Sequence, residues 1–190
     1  MFKHDINPEL VYVDEYGIRG TNFYWQKYEA KGLTKEDILA TGLTSDRVEV
    51  HKDIIEPLLA VDRAFGQRGF RLYIKEGYRS KALYELIYKR RVEKFGQADT
   101  DRLFNMRDMP HATGRSVDVA LWDKKEDREI FMRNGADGTD ALFVGFYRGK
   151  TDEPSRRYEE LQRFVIETML SNGFKLGTKN EYFHFDYCNG

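Results

Sequence analysis

Beyond Ser45 the apolar residues fall into alternating helical and strand periods. Val50, Ile54, Leu58, Val61 and Phe65 recur at helical spacing, which predicts a helix running from Ser45 to the glycines Gly66 and Gly69. FRLYIKE then alternates Phe70, Leu72 and Ile74 with Arg71, Tyr73 and Lys75, the period of a half-buried strand. Ser80 is placed to cap a second helix that carries Leu83, Leu86 and Ile87. SVDVALW, from Ser116 to Trp122, is a second strand by the same alternation. After a polar loop rich in Gly and Asp, PSRRYEELQRFVIETMLSNG predicts a helix with Pro154 in its first turn and Gly173 as its carboxyl cap. EYFHFDY is the last strand. The amino-terminal third has no long period, and LVYVDEYGIRGTNFYW predicts an edge strand followed by a loop.

Helices precede and separate the strands without the strict βαβ alternation of a parallel sheet, so an α+β fold is expected. No internal repeat, low-complexity stretch or Pro/Gly/Ser-rich linker divides the chain, which predicts one domain over 1–190. That length buries a substantial core without disulfides. Basic and acidic residues number 31 and 32 and form no long basic run, which argues against a nucleic-acid partner. The single cysteine, Cys188, excludes a disulfide framework and cysteine-rich zinc sites, so any metal must be held by His and carboxylate. MFKHDINPEL lacks the apolar core of a secretory signal, and no window approaches the roughly 20 apolar residues of a membrane span. A cytoplasmic chain without membrane contact is the expectation, and oligomeric state is left open.

Of the four histidines, His4, His51, His111 and His184, two stand in chemically suggestive company. MPHATGRSVDVAL places His111 in a loop, Gly114 at a turn, and Asp118 in a strand between Val117 and Val119. A carboxylate there needs a partner, because an unpaired buried charge is expensive. The alternative is a turn glycine followed by a surface aspartate. His184 in the last strand tips the balance: two histidines and an aspartate are a sound ligand set for zinc with one position left open. Zinc lowers the pKa of a bound water to about 7, and a nearby glutamate can take the proton and hand it to a leaving amine. Glu181 is the spare carboxylate, with Asp186 or Glu76 next in line for the base. In an ideal strand Glu181 and His184 face opposite sides. Their convergence requires a bend or bulge near Tyr182, or Glu181 placed just ahead of the strand. Asp186 shares a face with His184 and is the rival ligand. Arg79, in EGYRS, is either a surface ion-pair partner or a fixed donor toward an oxyanion.

In chain order, GYR, HxxGxxxD and ExxH resemble the zinc D-alanyl-D-alanine dipeptidases, the group that includes the vancomycin-resistance dipeptidase. The zinc D,D-carboxypeptidases and the Hedgehog-type fold are wider relatives. NFYWQKYEA looks like the family's early asparagine-phenylalanine segment, so the similarity runs through most of the chain. The resemblance implies one zinc held by His111, Asp118 and His184, a general base at Glu181, an oxyanion-stabilising arginine at Arg79, and a small antiparallel sheet beside helices. It also implies an acidic residue holding the substrate's amine, for which NGADGTDALF offers Asp137 and Asp140. Two positions depart from the family pattern. Met109 stands where a serine is usual, and Tyr182 and Phe183 stand where two tryptophans are common.

The leading expectation is therefore a zinc dipeptidase that cleaves free D-alanyl-D-alanine. A peptidoglycan carboxypeptidase or endopeptidase on the same scaffold is second. A catalytically dead relative that binds peptide or metal is third.

Overall fold

The computed structural model describes residues 9–188. In chain order its elements are β1 (Leu10–Tyr12), β2 (Arg19–Gly20), α1 (Phe23–Lys27), α2 (Lys35–Ala40), β3 (Glu49–His51), α3 (Ile55–Gly66) and β4 (Phe70–Glu76). There follow α4 (Lys81–Phe95), α5 (Gln97–Leu103), β5 (Ser116–Asp123), β6 (Arg128–Ile130), α6 (Glu153–Ser171), β7 (Phe174–Leu176) and β8 (His184–Tyr187). The architecture is α+β. Among the described residues six strands form one sheet in the order β2-β4-β5-β8-β7, with β6 also pairing β5. All of its pairings are antiparallel except β2 with β4, and β1 and β3 form a separate antiparallel pair.

One face of the sheet packs on α3 and α6. Leu72 and Ile74 of β4, Val117, Val119 and Leu121 of β5 and Phe185 of β8 meet Leu58, Val61, Phe65, Val165 and Met169 there. The opposite face carries Asp118 and His184, directly opposite one another across β5 and β8. Glu76 joins that row. Simple alternation from Ile74 would bury it in the core, but a register shift between Ile74 and Glu76 brings it opposite Asp118 instead. Three neighbouring strands thus present Glu76, Asp118 and His184 in a line.

The helix expected from Ser45 begins only at Ile55. Val48 and Val50 are both buried, Val48 just ahead of β3 and Val50 within it opposite Val11 of β1, and a 3-10 turn over Lys52–Ile54 leads into α3. Strand followed by turn reproduced the helical spacing by coincidence. Pro57 sits in the first turn of α3, where its missing N–H breaks no helical bond. The amino-terminal third is more regular than its pattern indicated, because its elements are short and capped. The Asn22 side chain accepts from the N–H groups of Tyr24 and Trp25 to start α1, and Thr34 with Asp37 forms a capping box on α2. Ser80 caps α4 as expected, accepting from the Leu83 N–H. Among the described residues no helix is long and apolar enough to cross a membrane.

Candidate metal centre and its cavity

His111 lies in a 3-10 turn, Pro110–Thr113, bounded by Met109 and Gly114, both in left-handed backbone conformation. Gly114 is required there twice over: its φ is +70°, and a Cβ would press to 2.9 Å from the His51 amide nitrogen. The turn is pinned to the loop after β4. The His111 carbonyl accepts from the Arg79 N–H at 3.1 Å, its own N–H donates to the Tyr84 hydroxyl at 3.0 Å, and Nδ1 faces the Gly77 carbonyl at 2.7 Å. A carbonyl can only accept, so Nδ1 carries the proton and the lone pair of Nε2 points into the site.

There Nε2 of His111 lies 3.1 Å from Nδ1 of His184 and 3.4 Å from Oδ1 of Asp118, and those last two atoms are 2.8 Å apart. An ion with tetrahedral bonds of about 2.0–2.1 Å would separate its donors by roughly 3.3 Å. The triangle fits a metal ion. The same three residues form a group able to hold one, and both histidines are buried. The far side of each imidazole is also engaged, as metal-bearing histidines require. His184 Nε2 faces Asp186 Oδ1 at 3.2 Å, and Asp186 accepts from the Ser116 hydroxyl at 2.6 Å. Asp186 therefore faces His184 from behind and stands outside the donor triangle, on the nitrogen opposite the one that faces Asp118. His51 lies apart, in a cluster with Arg115 and Asp53, and His4 falls outside the described residues.

Charge balance favours a cation at the centre. Burial pulls the His184 imidazole down, but its hydrogen bonds to Asp118 and Asp186 more than reverse this and push it up to about 10. Burial likewise works to raise Asp118, and the two imidazoles outweigh it, holding the carboxyl well below the usual range. A buried cation held by two carboxylates is a place where a metal ion can replace a proton.

Glu181 resolves the geometric difficulty by lying ahead of β8. Asn180 before it has a φ of +59°, Glu181 itself makes an isolated bridge to Phe143, and its carbonyl accepts from the His184 N–H. The chain turns between residues 181 and 184, so both side chains reach one cavity. Burial, then the Asp118 charge, pushes the Glu181 carboxyl up to about 7, the range suited to a general base at neutral pH.

Arg79 is enclosed rather than superficial. Its Nε and Nη2 donate to the two carboxylate oxygens of Glu76 at 2.7 and 2.5 Å, and its guanidinium lies against Tyr84, Tyr24 and Phe104 at 4.3, 5.0 and 5.3 Å. Nη1 takes no part in that fork. Glu76, the carboxylate that the sequence offered as an alternative base, is thereby committed to Arg79.

The cavity beside the donor triangle measures about 490 Å³, within the usual range for small-molecule sites, and Arg79, Glu181 and all three metal donors line it. Asp137 and Asp140 do not. Asp137 accepts from the Tyr147 hydroxyl at 2.7 Å, and Asp140 pairs with Arg102 at 2.7 Å. Both side chains thus have partners away from the cavity. Three residues contact the site that the sequence did not single out, Gly77 and Tyr84 on His111 and Ser116 behind Asp186, while Asp186 itself stands behind His184 and not in the place of a ligand. Of the three only Gly77 had a visible signal, since it lies within GYR.

No protein-family model matches the chain, and no curated protein matches it. Several solved structures are similar to it, two of them peptidases. One is that of the LdcB LD-carboxypeptidase, at 18% identity over 73% of this chain and 59% of that one, with a TM-score of 0.47. The other is the vancomycin-resistance D,D-dipeptidase VanXYg in complex with a D-Ala-D-Ala phosphinate analogue, at 18% identity over 75% of this chain and 52% of that one, with a TM-score of 0.44. The chain thus spans little more than half the length of either.

Proposed function

We propose that the chain is a zinc-dependent peptidase that hydrolyses a D-alanyl-D-alanine bond. The observation that carries the reaction class is the triangle of His111 Nε2, Asp118 Oδ1 and His184 Nδ1 opening on a cavity that also holds Glu181. The ordered GYR, HxxGxxxD and ExxH motifs supply the substrate class by resemblance. When bound, zinc would polarise the scissile carbonyl and acidify the attacking water. Glu181 takes the proton of that water and returns it to the leaving amine. Arg79, locked by Glu76 and the aromatic rings, offers its remaining N–H groups to the oxygen on which charge develops. Because Arg79 is already oriented, little reorganisation accompanies that step.

Two substrates contain this bond, the free dipeptide and a longer peptide that ends in it. The longer one is favoured by the state of the carboxylates that line the cavity. Glu76 is held by Arg79, Glu129 by Lys75 at 2.6 Å, Asp118 by the imidazoles, and Glu181 serves as base. A free substrate amine would find no partner among them, whereas an acylated nitrogen needs none. The test is release of D-alanine by zinc-loaded protein from free D-alanyl-D-alanine, its N-acetyl derivative and a longer peptide with the same end. The acylated substrates should turn over faster. Preference for the free dipeptide would reverse the choice between the two, and no release from any of them would overturn the proposal.

A further inference from the structure

Over the whole chain charge is balanced, with 31 basic and 32 acidic residues, but the cavity is not: seven of its lining residues are Lys or Arg and four are Asp or Glu. The four carboxylates are committed as described above. The cations at one end are not. Lys31 closes the 3-10 turn after α1, and Arg91 and Lys94 lie three apart on α4, hence on one face. Along that helix Lys81 pairs with Glu85 and Arg90 with Glu93, Arg91 and Lys94 take part in neither pair, and Arg91 Nε is buried without a hydrogen-bond partner.

Aromatic faces hold these cations in place without neutralising them. The Lys31 ammonium lies 5.0 Å from the centre of the Phe23 ring, Arg91 lies 5.6 Å from Phe104, and Lys94 lies 5.2 Å from Phe95. The three cations also sense one another: burial, then the charges of Arg91 and Lys94, holds the Lys31 ammonium below its ordinary value. Lys31 and Arg91 line both the main cavity and an adjoining groove of about 60 Å³ that reaches Lys94 and is lined by none of the metal donors. An ordinary solvated basic face spreads its charges apart, whereas this one gathers them at a concave junction.

We infer that Lys31, Arg91 and Lys94 form an anion subsite, and that it takes a carboxylate or phosphate on the acyl side of the substrate, beyond the terminal carboxylate. The inference rests on the cavity being the peptide-binding site proposed above. It narrows the substrate class to peptides with a second acidic group upstream of the D-alanyl-D-alanine end.

The experiment reads binding rather than turnover. Zinc-loaded Glu181→Gln protein is titrated calorimetrically with three peptides that end in D-alanyl-D-alanine and carry glutamate, phosphoserine or glutamine two residues before it. At least one acidic peptide should bind on the order of 10-fold more tightly than the glutamine peptide, as a charge-assisted contact supplies. A gain confined to glutamate assigns a carboxylate, and one confined to phosphoserine assigns a phosphate. The gain should shrink with added salt and vanish in the Lys31→Gln, Arg91→Gln, Lys94→Gln variant. A Lys31→Gln, Lys94→Gln variant, which keeps Arg91 packed on Phe104, should already lose most of it. Equal binding of all three peptides overturns the inference, as does a preference that survives the triple variant. Uniform weakening of all three peptides would assign the cations to the terminal carboxylate and overturn it as well. If the parent protein cleaves none of the peptides but the charge preference holds, the proposed reaction fails while the subsite stands.

Discussion

Gly177 packs so closely against His184 that a Cβ there would lie 2.1 Å from the ring's Cδ2 and 2.9 Å from Nε2. Its N–H also donates to the His184 carbonyl at 3.1 Å, so the β7–β8 connection fixes both the backbone and the ring plane of this candidate metal donor. Gly177→Ala should tilt the imidazole out of the donor triangle. Metal affinity should fall about 10–100-fold, the cost usual for disturbing what orients a ligand. A zinc titration beside a circular-dichroism spectrum checks this, and unchanged affinity in a folded variant would show that the ring has room to spare.

One zinc per chain is expected at saturation. His111→Ala, Asp118→Ala and His184→Ala should each remove most of the metal, whereas Asp186→Asn should retain it with affinity lowered about 10-fold, because Asp186 acts on the far nitrogen of His184. Metal analysis after dialysis against a weak chelator separates the two behaviours. Stoichiometric zinc in all three alanine variants would refute the donor set, and loss of zinc in Asp186→Asn alone would make Asp186 the ligand.

The parts of this arrangement that local physics fixes were legible in the sequence. The periods of FRLYIKE and SVDVALW, the Ser80 cap and the Pro154 start each depend on residues within one turn or strand, and the structure has each in place. His111, Asp118 and His184 were legible by residue type and order, and the structure brings their donor atoms within 3.4 Å. What failed needed tertiary information. Val50 fitted a helical period but is held by a distant strand. Glu76 is turned from the core face to the site face by a register shift that no residue pattern announces. Asp137 and Asp140 were offered by the resemblance, and the partners that orient them, Tyr147 and Arg102, are no part of any local pattern, Arg102 being far away in sequence.

Glu76 and Arg79 are both almost fully buried, so their ion pair stands on each partner compensating the other. Glu76→Ala leaves a guanidinium with aromatic neighbours and no carboxylate, which should cost about 3–5 kcal/mol in denaturant unfolding. Arg79→Lys keeps the charge but loses the fork that fixes it, so turnover should fall sharply while zinc content holds. Turnover near the parent's in Arg79→Lys would remove Arg79 from the chemistry and leave it a purely structural role.

Glu181 separates catalysis from metal binding most cleanly, since it lies outside the donor triangle yet within the same cavity. Glu181→Gln should keep its zinc and still bind peptide, with the rate lowered 10²–10⁴-fold by loss of the group that moves the proton. The pH dependence adds an independent check. A base must be ionised to act, and this carboxyl is pushed up to about 7 by burial and then by Asp118, so kcat/KM of the parent should fall about tenfold per unit as pH drops below that value. Stability of the metal-free protein should move the other way. Between the ordinary value of 4.5 and about 7 the folded chain holds a proton at Glu181 that the unfolded chain has released, so this residue's contribution declines as pH rises through that window. Glu181→Gln has no such proton, and its stability relative to the parent should therefore rise from pH 4.5 to 7 and then level off. Chemical denaturation at a series of pH values reads the difference directly. A parent and variant with parallel stability profiles would mean that the Glu181 carboxyl is not strained by burial, and near-parent turnover by the variant at full zinc occupancy would exclude Glu181 as the base.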